Sequence, residues 1–105
     1  MTFTVTQISE KIVDYGFIGT RLQRTYEVAG VTNTAGNPEV YHIELDGQYN
    51  DGSIRFSVFV QRTNGSFAML NPNNHYQRIS AVFSALREVT EEFKAANQEA
   101  IRNAA

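Results

Sequence analysis

The sequence predicts an α+β protein, in which an antiparallel sheet of four to five strands is followed by one long C-terminal helix. Before Asn71, β-branched and aromatic residues alternate with polar ones, a pattern typical of strands. After Asn71, apolar residues recur at spacings of three and four, the period of an amphipathic helix. The links between the strands are short and therefore join antiparallel neighbours. We predict one domain over residues 1–105, with the sheet in 1–70 and the helix in 71–105.

Four strands are predicted, over residues 3–13, 20–32, 39–49 and 53–63. Residues 67–70 either continue the fourth strand or form a short fifth one. The polar segment that ends at Pro38 is predicted to be a loop, because Asn, Gly and Pro favour turns. Asn50-Asp51-Gly52 and Asn64-Gly65 are hairpin signals, since Asn and Gly tolerate a positive φ.

The step Leu70-Asn71-Pro72 predicts where the helix begins. Asn71 suits the N-cap position because its side-chain oxygen can accept a backbone N–H of the first turn. Pro72 suits the first helical position, where a missing N–H costs no hydrogen bond. The helix is predicted over residues 72–103. Its apolar stripe comprises Tyr76, Ile79, Val82, Phe83, Leu86, Val89, Phe93, Ala96 and Ala100.

Composition limits the chemistry that this chain can perform. The chain has no Cys, which excludes disulfides, thiolate nucleophiles and Cys-ligated metals. Its net charge is −2, whereas nucleic-acid binders usually carry a basic excess. Any phosphate-binding surface must therefore be a local patch. With no signal-peptide pattern and no run of roughly 20 apolar residues, we expect a cytoplasmic protein without a membrane role.

One group of ionisable residues suggests acid–base or metal chemistry. His42 and Glu44 share a face of the third predicted strand, and Glu27 can lie on its neighbour. The alternative is a solvated sheet face, which we favour because the only other His, His75, lies in a different region. We therefore expect no catalytic residue, no metal, no cofactor and no enzymatic activity.

The fourth predicted strand separates an apolar face from a mixed one. Its even-numbered positions are the core face, and the opposite face carries Arg55 and Phe59. An exposed Phe beside an Arg supplies a flat ring for a base and a cation for a phosphate. Alternatively, Phe59 covers a dimer interface or packs under a loop. The core face comprises Ile54, Phe56, Val58 and Val60.

Residues 40–89 resemble the positive-cofactor-four single-stranded-DNA-binding domain and, more broadly, the Whirly group. The resemblance rests on Gly65 in a turn, the Leu70-Asn71-Pro72 step, and Tyr76 and Ile79 in the helix. It implies four antiparallel strands followed by a helix through which two copies pair. The sheet of that family is rich in Lys, whereas residues 1–70 of this chain contain only Lys11.

The resemblance also implies a binding surface. In that family, Lys, Arg and aromatic side chains of the sheet hold a single strand. We therefore expect a homodimer that binds single-stranded nucleic acid. The alternative is a protein-binding accessory module, of viral or mobile-element origin, without a nucleic-acid role. The matching candidates in this chain are Arg55, Phe59, Arg62, Phe67, Tyr41 and Tyr49.

Overall fold

A computed structural model describes residues 3–14, 16, 19–32, 36–47, 54–70 and 76–104 of the chain. Within them, five antiparallel strands are followed by one helix, which confirms the predicted α+β class. The strands lie in the order in which they occur in the sequence, so each hairpin joins neighbours. The elements are β1 (Thr4–Asp14), β2 (Thr20–Thr32), β3 (Pro38–Gly47), β4 (Ile54–Gln61), β5 (Phe67–Met69) and α1 (Tyr76–Ala104).

The strand boundaries agree closely with the prediction, except that β3 begins at Pro38 and β4 ends at Gln61, two residues before its predicted end. β2 has the predicted bounds, and β1 is displaced by a single residue. β3 begins at Pro38, which was predicted to lie in a loop. Proline is tolerated at the first residue of a strand, where it interrupts the hydrogen-bond ladder least. β5 is a separate short strand. The hairpin signal at 50–52 and the cap at 71–72 lie outside the described residues.

The core lies between one face of the sheet and α1. Alternate residues of β2 and β3 are buried, as period-two patterning requires. From α1, four side chains complete this layer, and three of them belong to the predicted apolar stripe. The side chains of Tyr76 and Ile79, also in that stripe, lie outside the described residues. The buried core residues include Leu22, Tyr26, Val28, Tyr41, Ile43, Leu45, Val58, Val82, Ala85, Val89 and Phe93.

α1 crosses the sheet from β4 towards β2. Early in the helix, the Phe83 ring meets the edge of the Phe56 ring of β4, with 6.1 Å between centroids. Near its end, Asn97 Oδ1 accepts the backbone N–H of Leu22 in β2 at 2.9 Å. Asn97 is buried, and a Cβ on Gly47 would lie only 2.6 Å from its Cγ. Gly47 therefore makes room for the buried amide.

Arg24 is a charged residue on the helix side of the sheet. Its Nε donates to Glu10 Oε2 at 2.8 Å, and its Nη1 donates to Tyr26 Oη at 2.9 Å. Glu92 of α1 lies 4.0 Å from Arg24 Nη1. Burial lowers the pKa of Arg24, but the hydrogen bonds to Tyr26 and Glu10 outweigh it, so the pKa is raised. A permanently charged Arg24 thus ties β1 and α1 to β2.

The face of the sheet opposite α1 is called the open face here. Its residues follow from the strand register, since directly opposed residues project to the same side. Polar side chains dominate it on β2 and β3, and aromatic ones appear towards β5. The open face comprises Gln23, Thr25 and Glu27 on β2, His42, Glu44 and Asp46 on β3, Arg55, Ser57, Phe59 and Gln61 on β4, and Phe67 and Met69 on β5.

Candidate nucleic-acid interface

Two rings stack on the open face across an intervening strand. His42 belongs to β3 and Phe67 to β5, and β4 lies between them. Their ring centroids are 3.9 Å apart and their planes differ by only 19°. His42 is half-buried, whereas Phe67 is 36% exposed. The outer side of this ring pair is therefore accessible to solvent.

Two further apolar side chains lie beside the ring pair. Phe59 of β4 is directly opposite His42 on one side and Met69 on the other. Phe59 is half-buried, and Met69 is 69% exposed. We call these four residues, His42, Phe59, Phe67 and Met69, the aromatic corner. An accessible flat apolar surface of this kind can hold a planar ligand such as a nucleobase.

Two exposed arginines flank the aromatic corner. Arg55 lies on the open face of β4, two alternate positions before Phe59. Arg62 follows β4 in the tight link to β5, where its N–H donates to Ser66 O at 2.7 Å and its carbonyl accepts the Gly65 N–H at 2.9 Å. Gly65 has a φ of 90°, which glycine adopts without strain. The backbone of Arg62 is thereby held in the tight link between β4 and β5.

Acidic side chains occupy the other half of the open face. Glu27 of β2 is directly opposite His42, and Asp46 of β3 is directly opposite Arg55. Asp46 Oδ1 is buried and accepts no hydrogen bond from the described residues. On β3, Glu44 lies between His42 and Asp46 and is exposed. The open face is thus acidic over β2 and β3, and aromatic with cations over β4 and β5.

Most of the residues that the sequence predicts to bind nucleic acid lie on the open face or next to it. Arg55, Phe59 and Phe67 lie on the open face, and Arg62 lies at its rim. Tyr49 is outside the described residues.

Tyr41 requires a correction. Its side chain is 0% exposed in the core, and its hydroxyl donates to Glu39 Oε2 at 2.7 Å. Tyr41 presents no ring face to a ligand, because it has the same strand parity as the buried Ile43 and Leu45.

Two members of the aromatic corner were not nominated for binding. His42 was considered for acid–base chemistry, yet its ring stacks on Phe67. Met69 was assigned to a strand without a role. Alternation along each strand indicates the face on which each of these residues lies. The contact between His42 and Phe67, however, depends on the register of β4 with β3 and of β5 with β4.

The residues considered for acid–base or metal chemistry lie side by side on the open face. Glu27 is directly opposite His42, and Thr25 is directly opposite Glu44. Glu44 is exposed, which matches the solvated sheet face that we favoured. Among the described residues, no group of three His, Asp or Glu side chains is arranged to hold a metal ion.

Comparison with known proteins adds no relative. No protein-family model, no curated protein and no solved structure matches the chain. The resemblance to the positive-cofactor-four domain therefore stays a prediction that rests on the residues quoted for it. In the part of the chain that is described, no helix is both long enough and apolar enough to cross a membrane.

Proposed function

We propose that the aromatic corner of the open face binds single-stranded nucleic acid and that the protein acts as a homodimer. The observation that supports this most directly is the accessible His42–Phe67 ring pair, and exposed arginines occur in β4 and in the link from β4 to β5. Nucleobases stack on such rings, each contributing roughly 1–3 kcal/mol. Arg55 and Arg62 supply cations for the phosphates, and those contacts weaken as salt increases.

The charge distribution favours one path for a bound strand. Phosphates are repelled by Glu27 and Glu44 on β2 and β3, so the nucleic-acid backbone runs over β4 and β5. This half of the open face is narrow, because β5 has only three residues. We therefore propose a short site that holds a few nucleotides and discriminates little between bases, since stacking is available to all of them.

Pairing through α1 is the arrangement that the resemblance implies. The side of α1 that faces away from the sheet is polar where the structure describes it, with Lys94 paired to Glu91 at 3.5 Å. A contact along this side would depend on ion pairs, which contribute little when exposed. Exposed polar residues on that side include Arg87, Glu88, Glu91, Lys94 and Gln98.

A labelled oligo-dT titrated with protein at two salt concentrations tests the nucleic-acid proposal. We expect binding at low salt, weaker binding at high salt, and a further loss in Phe59→Ala and in Arg55→Ala. Arg87→Ala is the matched control, because Arg87 is an exposed arginine on α1, away from the open face. Absence of binding at low salt, or equal binding by Phe59→Ala, Arg55→Ala and the wild type, would contradict the proposal.

A protein-binding accessory module is the second candidate function. Met69 is 69% exposed on the edge strand β5, and an exposed apolar side chain of this size at an edge favours a protein contact. The acidic half of the open face also suits a basic protein partner. A stoichiometric partner retained by the wild type and by Arg55→Ala, but lost in Met69→Glu, would support this candidate if oligo-dT does not bind.

A further inference from the structure

The two edges of the sheet differ in length. β1 has 11 residues and β5 has three. β1 pairs with β2 on one side, and no strand among the described residues lies on its other side. A long edge strand presents a row of backbone donors and acceptors that another strand can pair with. The short β5 limits such pairing at its edge, whereas β1 has no comparable limit of length.

Exposed isoleucines lie at the long edge. Ile12 of β1 is 62% exposed, although it is directly opposite the buried Leu22. The Leu22 backbone N–H binds Asn97, and Ile101 follows Asn97 by about one helical turn, with 37% of its surface exposed. Ile12 and Ile101 therefore lie on the helix side of the sheet near the same edge. Two exposed isoleucines near one edge would form a contiguous apolar patch if a second copy brought its own pair beside them.

The charged side chains of this edge are Glu10, Lys11 and Asp14, and Asp14 Oδ1 accepts the backbone N–H of Gly16 at 2.8 Å. The Glu10 carboxylate lies 2.7 Å from Arg24 Nη2 within its own chain, so its charge is already balanced. Lys11 is opposite Gln23 and belongs to the other side of the sheet. A bulge between Gln7 and Ser9 interrupts the strand. The regular part of the edge, residues 9–14, is therefore the part that can form a continuous ladder.

We propose that a second copy of the chain pairs with this edge, antiparallel, through residues 10–14 of both copies, with Ile12 opposite Ile12. An antiparallel ladder about a two-fold axis perpendicular to the sheet is self-complementary, so the strand needs no partner but itself. The axis leaves both helices on one side, where Ile12 and Ile101 of the two copies cover each other. The five-stranded sheets of the two copies then form one continuous sheet. Its open face is shared, and one aromatic corner lies at each far end.

Sedimentation equilibrium of the full chain, without nucleic acid, tests the pairing. We expect a mass of twice 11.8 kDa for the wild type and a shift to the single-chain mass in Ile12→Glu and Ile101→Glu. Met69→Glu is the matched control, because it places the same charge at an exposed apolar position of the other edge. This control should remain dimeric. Far-UV circular dichroism checks that each variant keeps its secondary structure.

Hydrogen exchange of the wild type provides a second measurement that needs no variant. We expect protection of the β1 amides to rise with protein concentration and protection of β5 to stay constant. A wild type that remains monomeric at high concentration, or a dimer that Met69→Glu dissociates and Ile12→Glu does not, would overturn the proposal. Because oligo-dT is absent from both experiments, their outcome does not depend on nucleic-acid binding.

Discussion

The centroid of the His42 imidazole ring lies 3.9 Å from the centroid of the Phe67 phenyl ring, and the two ring planes differ by 19°, although β4 separates their strands. The contact joins β3 to β5 without a backbone hydrogen bond between them. β5 has three residues and, among the strands that the structure describes, pairs only with β4. The ring pair therefore adds a second attachment for β5 and at the same time forms the surface on which we propose that bases stack.

We expect the His42–Phe67 stack to stabilise the fold measurably. Aromatic pairs contribute about 0.5–1.5 kcal/mol beyond burial of their area. A double-mutant cycle of His42→Ala and Phe67→Ala, followed by urea unfolding, should give a coupling free energy in that range. Met69→Ala provides the control, because a largely exposed side chain has little to lose. Additive effects of the two alanines would show that the contact contributes nothing.

Stacking and phosphate contacts should be separable in binding experiments. Phe67→Ala removes a stacking ring and should weaken oligo-dT binding by about 1–3 kcal/mol, roughly 5- to 150-fold, with an unchanged dependence on salt. Arg55→Ala removes one phosphate contact and should reduce the slope of log K against log salt by about one. If both variants change the slope equally, the two roles are assigned wrongly.

Asn97 and Gly47 should show strong coupling in stability. Asn97→Ala leaves the buried N–H of Leu22 without its acceptor, at a cost of about 1–3 kcal/mol. Gly47→Ala forces a Cβ against the Asn97 amide, and overpacking of this kind costs about 1–3 kcal/mol. Urea unfolding of the double variant should give less destabilisation than the sum, because the shortened side chain leaves room for the Cβ. A strictly additive result would contradict this packing.

The Arg24 network should stabilise the fold equally at neutral and mildly alkaline pH. The folded-state pKa of Arg24 is raised above its ordinary value, so the contribution of Arg24 to stability is complete below the unfolded-state pKa and is lost only as pH rises through the folded-state value. Glu10→Gln removes the charged acceptor and should cost about 1.5–3 kcal/mol, since hydrogen bonds to charged groups have this strength.

Urea unfolding of the wild type and Glu10→Gln at about pH 7 and about pH 9 checks this expectation. Glu91→Gln is the control, because Glu91 is an exposed carboxylate whose partner Lys94 is also on the surface. We expect no measurable change in the control. A cost of Glu10→Gln that disappears at the higher pH would mean that Arg24 does not hold its charge as the structure indicates.

Much of the sheet could be predicted because its information is local. The alternation from Leu22 to Val28 located β2. The same parity separated Val58, which is buried, from Arg55, which is exposed. Parity also opposed the assignment of Tyr41 to the binding surface, since Ile43 shares its face. Tyr41 was assigned to the binding surface because of the family resemblance. Its buried position agrees with the alternation along β3 and not with that assignment.

Local patterning was thus sufficient for the α+β class and the order of the strands, because periodicity and short turns act within a few residues. The buried amide of Asn97, 75 residues from its partner Leu22, emerged only from the folded chain. The same holds for Arg24 against Glu92 and for His42 on Phe67. The role of a polar or aromatic side chain becomes clear only when packing brings its partner into contact with it. That partner is determined by the strand register and by the crossing of the helix, and not by the neighbouring sequence.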